Sequence, residues 1–139
     1  MEHFLTPVLA LIVWSLIVWC IMYARRIPAM NAAKIAPDSA KSPDGDWKNK
    51  LPASVQYAAH NYNHLMEQPT IFYALMFYLH ISGQGTGLAM KLAWIYVILR
   101  VLHSLVQITA NKVMVRFGLF ALSTLVLIAM ALHAVMAVF

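Results

Sequence analysis

Long apolar runs separated by short polar stretches organise this chain. Leu5 to Tyr23 carries no charged residue. At about 1.5 Å per residue, such a run is long enough for the roughly 30 Å hydrocarbon core of a bilayer. Arg25 and Arg26 close the run and Pro28 discourages continuation, so the first helix is expected over about 5–24. The polar stretch that follows holds Pro37, Pro43 and Gly45 and reads as a cytoplasmic loop over about 25–50. The second helix is expected over about 53–81, and its halves differ. SVQYAAHNYNHLMEQP is too polar to face lipid, whereas TIFYALMFYLHI is apolar enough to do so. Gly83, Gly85 and Gly87 then turn the chain, and the third and fourth helices are expected over about 88–109 and 113–138. The pattern predicts an all-α membrane protein, a four-transmembrane-helix bundle forming one domain over 1–139. Glu2 and His3 stand where a cleaved signal would carry basic residues, so the first helix is expected to be retained.

Composition agrees. The 139 residues are 62% hydrophobic and 11% charged, against about 45–50% and roughly 25% in soluble domains. An ordinary soluble enzyme and a disordered chain are both excluded, and the single Cys20 excludes a disulfide scaffold. The net charge of +5 does not point to nucleic acid. Six of the ten basic residues lie between Arg25 and Lys50, beside Asp38, Asp44 and Asp46, with no basic helix to track a phosphate backbone. Short cytoplasmic loops collect Lys and Arg. The first and third connections carry Arg25, Arg26, Lys34, Lys41, Lys48, Lys50, Lys112 and Arg116; the opposite side carries Lys91. Both termini are therefore expected to face away from the cytoplasm.

Charge inside a bilayer costs about 2.5–3.5 kcal/mol on insertion scales and marks functional candidates. Glu67 and Arg100 lie at comparable distances on either side of the turn near residues 83 and 84, so they are expected at one depth, as an ion pair. One turn deeper, Asn63 and His64 should be level with His103, and then His60 with Gln107. Arg100, His103 and Gln107 share a helix face by their spacing. Such a polar ladder can lock two helices together or hold a ligand. His60 and His64 have the four-residue spacing of paired metal ligands, but no third ligand is near in sequence, and no metal is expected. Cys20 sits in an apolar run where a thiol is inert.

The segment from Asn63 through Glu67 and Pro69 to Phe72 resembles the second-helix signature of the MAPEG superfamily, the membrane-associated proteins in eicosanoid and glutathione metabolism. Arg100-Val-Leu-His103-Ser104, with Arg116 sixteen residues after Arg100, resembles its third-to-fourth-helix signature. The likeness extends over essentially the whole chain and is nearest to microsomal glutathione transferases in their bacterial form. It implies a homotrimer in a bacterial inner membrane, with periplasmic termini and glutathione as co-substrate at each subunit interface. By position, Arg26 corresponds to a glutathione carboxylate contact and Asn63 and Glu67 to the helix-two contacts. Arg116 corresponds to the catalytic, thiolate-stabilising arginine. Arg100, His103 and Gln107 complete the candidate set. Ala59 stands where family enzymes commonly carry an arginine, Gln107 where they carry a tyrosine, and the glutamate is shifted one residue toward the proline.

The resemblance implies a transferase or peroxidase acting on hydrophobic electrophiles or lipid hydroperoxides, surrounded by membrane lipid. The nucleophile would be the glutathione sulfur. Lowering a thiol pKa by two units from about 8.5 takes ~2.7 kcal/mol of preferential thiolate stabilisation, within reach of one arginine in a partly desolvated site. The alternative is a non-catalytic lipid- or amphiphile-binding protein of the same fold, consistent with Ala59 and Gln107.

Overall fold

A computed structural model describes residues 3–42 and 45–138. Five helices follow one another: α1 (Thr6–Ala32), α2 (Ala53–Leu65), α3 (Pro69–Ile81), α4 (Gly87–Ile108) and α5 (Val113–Met136). No strand occurs among the described residues. By length and composition, α1, α4 and α5 can each cross a bilayer. α2 and α3 have 13 residues each, about 20 Å apiece at 1.5 Å per residue, so neither is long enough alone. Together they form the second crossing.

Two features depart from the sequence expectation. The expected helix over 53–81 is broken at residues 66–68, because Pro69 has no N–H to offer the carbonyl of Leu65 and instead opens a new helix at its first position. The first helix, by contrast, runs past its expected end near residue 24, through Pro28, to Ala32. Pro28 leaves the carbonyl of Ala24 without its helical donor, but Ala24 is exposed. Beyond it, Ala29, Met30 and Ala33 pack on Ile35, Leu51 and Val55.

The main core joins all five helices. Leu11 and Val18 of α1 meet Leu65, Phe72, Met76 and Leu79 from the second crossing, Ala93 and Tyr96 of α4, and Met130 of α5. Phe72 stacks on Tyr96 with ring centroids 4.5 Å apart. Ala89 and Ala93 let α4 approach its neighbours, the usual role of small residues between membrane helices. Ser15 and Ser123 are buried but bond back to carbonyls of their own helices. The outer surfaces carry Leu9, Leu16, Ile71, Ile98, Leu125 and Leu132, all exposed, as a lipid-facing or interface surface requires.

Two connections are tied by side chains. Arg25 Nη1 donates to the carbonyls of Ser54, at 3.2 Å, and Ile108, at 2.8 Å. It thereby joins α1 to the start of α2 and the negative end of α4. The 111–112 turn is set by Asn111, whose φ of +49° lies in the left-handed region that Asn tolerates better than most residues.

Candidate functional site

The break between α2 and α3 leaves helix-terminal carbonyls to be satisfied. Met66 N–H bonds the carbonyl of Asn63 at 2.9 Å. The carbonyl of His64 is taken by Arg100, whose Nη2 donates to it at 3.1 Å across from α4. Arg100 is fully buried, and its Nε and Nη1 have no hydrogen-bond partner. Around it, Gln68 donates to Thr124 Oγ1 at 2.8 Å and accepts from Tyr96 Oη at 3.3 Å. Polar side chains of α4 and α5 therefore hold the break open.

The expected Glu67–Arg100 ion pair does not form. Following the turn at residue 66, Glu67 swings outward with 70% of its side-chain surface exposed, and its partner is His64 Nδ1, at 3.2 Å. Since a carboxylate is acceptor-only, the imidazole is the donor. Arg100 caps a helix end instead. The expected level of His64 with His103 does hold. Their rings meet edge to face at 4.8 Å, and Phe120 of α5 closes the group at 5.2 Å from His64 and 5.8 Å from the Arg100 guanidinium. Arg116 lies within electrostatic range of both histidines and donates to Asn111 Oδ1. Glu67, Arg100, His103 and Arg116 thus belong to one region on the α4–α5 side of α2.

Arg26 and Asn63 belong to another. They line a cavity of about 440 Å³ on the α1 side of α2, with Met22, Trp47, Ala59 and Tyr62. That volume falls in the roughly 300–1,000 Å³ range of small-molecule sites. The Arg26 guanidinium lies 5.6 Å from the Trp47 ring centroid, and its Nε has no hydrogen-bond partner. The loop is held over the cavity by Trp47 Nε1 donating to Ser42 O at 2.8 Å and Gln56 Nε2 donating to Lys48 O at 3.0 Å. His60 faces this side as well, in a smaller recess shared with Arg26 and Asn63. Gln107 is buried on α4 with its Oε1 unpartnered and lines neither space.

Six of the seven candidate residues are therefore divided between the two sides of α2, and Gln107 stands apart from both. Sequence reasoning missed Trp47, Tyr62 and Phe120 as parts of these surroundings. Only Phe120 left a trace, four residues after Arg116 and so on the same face of α5. Among the described residues no group of three His, Cys, Asp or Glu side chains is placed to hold a metal.

With this geometry in place, a match to the MAPEG family covers residues 4–136, nearly the whole chain. The chain belongs to the MAPEG family. No curated protein and no solved structure matches it. As a MAPEG protein it is a helical integral membrane protein of the superfamily concerned with glutathione and eicosanoid metabolism. The two regions fit such a role chemically. A cavity lined by Arg26, Lys48, Trp47 and Tyr62 suits a carboxylate-bearing molecule, and a second cationic region suits an anion.

Proposed function

We propose that this MAPEG protein is a glutathione-dependent transferase or peroxidase acting on hydrophobic electrophiles or lipid hydroperoxides. It works as a homotrimer in a bacterial inner membrane, with both termini periplasmic. The observation that carries this reading is the Arg26–Asn63 cavity, a space of small-molecule size where the Arg26 guanidinium, beside the Trp47 ring, faces the place of a glutathione carboxylate. Asn63 offers an amide to the peptide. Glu67 has a second carboxylate oxygen for the glutathione amine, and Arg116 stabilises the thiolate, with Arg100 and His103 beside it. Gln107 stays a candidate contact at the buried end of the set.

Because α2 separates Arg26 from Arg116, one glutathione meets both only when they come from neighbouring protomers. Support for such a neighbour comes from Glu67. A carboxylate in the second crossing with 70% of its side-chain surface open would cost about 2.5–3.5 kcal/mol facing lipid, and a second copy removes that exposure.

The purified protein is tested for thiolate absorbance with glutathione and for turnover of a model electrophile and a lipid hydroperoxide. Arg116→Ala should bind glutathione yet lose thiolate formation and 10²-fold or more, in order of magnitude, of kcat. Co-expressed Arg26→Ala and Arg116→Ala chains should recover activity that neither has alone. Absence of thiolate and turnover in the unaltered protein rejects the proposal.

A second reading is favoured by one observation: Ala59, in place of a cation, and Met22 and Met30 make much of the cavity wall apolar. That wall suits an amphiphile bound without catalysis. A melting temperature raised by lipid and untouched by millimolar glutathione would select it.

A further inference from the structure

His64 has a geometry that neither core packing nor glutathione contact requires. Its Nδ1 donates to Glu67 Oε2 at 3.2 Å. In the neutral ring that proton leaves Nε2 as the unprotonated nitrogen, and no hydrogen bond among the described residues engages Nε2. The ring is fixed by His103 at 4.8 Å and Phe120 at 5.2 Å, and the backbone behind it by Arg100. A carboxylate that orients an imidazole and leaves its far nitrogen free is the arrangement of a general base. The charged and titratable groups facing this ring are Glu67 on its own segment, Arg100 and His103 from α4, and Arg116 from α5.

We propose that His64 is the base that takes the proton from the glutathione thiol, with Glu67 as its positioning residue. This deepens the glutathione-dependent reading and rests on it. In the step, the S–H bond breaks, an N–H bond forms at Nε2, and the electron pair stays on sulfur. Arg116 faces the new thiolate while the Glu67 carboxylate balances the imidazolium. The thiolate then displaces the leaving group of the electrophile, which departs with its electron pair, and the imidazolium returns its proton to water.

The test follows thiolate formation by stopped-flow absorbance across pH in detergent-solubilised protein, with glutathione binding measured separately by calorimetry. General acid–base catalysis contributes typically 10²–10⁴-fold, so His64→Gln should slow thiolate formation by about 10²-fold and flatten its pH dependence, with glutathione affinity retained. Imidazole added to His64→Ala should recover part of the rate, a rescue that a structural role cannot give. Glu67→Gln should show a smaller loss of the same kind. Should His64→Gln fail to fold, His64→Asn, which keeps an amide donor for Glu67, takes its place. Carbethoxylation of histidine in the folded unaltered protein asks the same question without a variant. Thiolate formation at the unaltered rate and pH dependence in any of these overturns the proposal. Loss of glutathione binding in the His64 variants also overturns it, making His64 a ligand contact. If the unaltered protein binds no glutathione, the functional reading falls together with this one; if it binds and ionises glutathione while the variants do too, only the base assignment falls.

Discussion

Pro28 and Pro69 both stand within apolar helical segments, yet the chain treats them in opposite ways. At Pro28 the helix continues for another turn; at Pro69 it stops at Leu65 and restarts. The residue itself imposes the same loss on both, one N–H and a crowded carbonyl four residues back. The difference lies in what the surroundings offer. Around Pro28 the freed carbonyl belongs to the exposed Ala24, and the following turn gains contact with Ile35, Leu51 and Val55. Around Pro69, Arg100 takes the carbonyl of His64 and Gln68 finds Thr124 and Tyr96. A proline breaks a membrane helix cleanly when neighbouring side chains can satisfy the freed groups. Here those groups also hold the histidines, and the break and the candidate chemistry share one place.

Four single substitutions and one double-mutant cycle can break or sharpen this contrast, each read as detergent-state stability. Arg100→Ala should have the largest effect, a loss of about 3 kcal/mol. It uncaps a buried carbonyl and empties the space of the largest fully buried side chain. Gln68→Leu should cost about 1–3 kcal/mol by leaving Tyr96 and Thr124 without their shared partner. The two prolines should then differ in sign. Pro28→Ala, which restores a helical hydrogen bond, should stabilise by about 1 kcal/mol, whereas Pro69→Ala should destabilise by about 0.4–1 kcal/mol by freeing the unfolded chain at a site already compatible with proline. Equal effects at the two prolines would remove the contrast. The smallest effect concerns Glu67 and Arg100. A double-mutant cycle of Glu67→Gln with Arg100→Met should give a coupling below about 0.5 kcal/mol, since Glu67 is mostly exposed and pairs with His64. A coupling of several kcal/mol would restore the ion pair that the structure replaces.

The depth relation between the second crossing and α4 was legible from the turn near residue 83, and the His64–His103 contact follows from it. The direction of Glu67 was not. Counting residues from a turn assumes a continuous helix, and the three residues after Leu65 lie outside one, so everything from Met66 to Gln68 is rotated off the expected face. Asn63 and His60 escaped for a different reason. Three- and four-residue spacing places them near His64 and Glu67, but a helix buried on two sides offers both faces to partners, and α1 claimed one of them. Arg26 could be named from sequence as an arginine closing an apolar run; Trp47, which covers it, lies in a loop whose path no periodicity describes.

Apolar run lengths, loop charge and the placement of proline and glycine were enough to determine the number of crossings, their order and the membrane class, because each depends on transfer of local segments into lipid. The spacing of polar residues also determined which levels of the bundle would carry them. Which side of α2 each of those residues serves, whether a proline interrupts or is passed, and which partner a buried cation takes were decided only by tertiary structure. Those outcomes depend on competition among groups far apart in sequence. Arg100 could have met a carboxylate or a carbonyl at the same depth, and the helix break, by turning one away and exposing the other, selected the carbonyl.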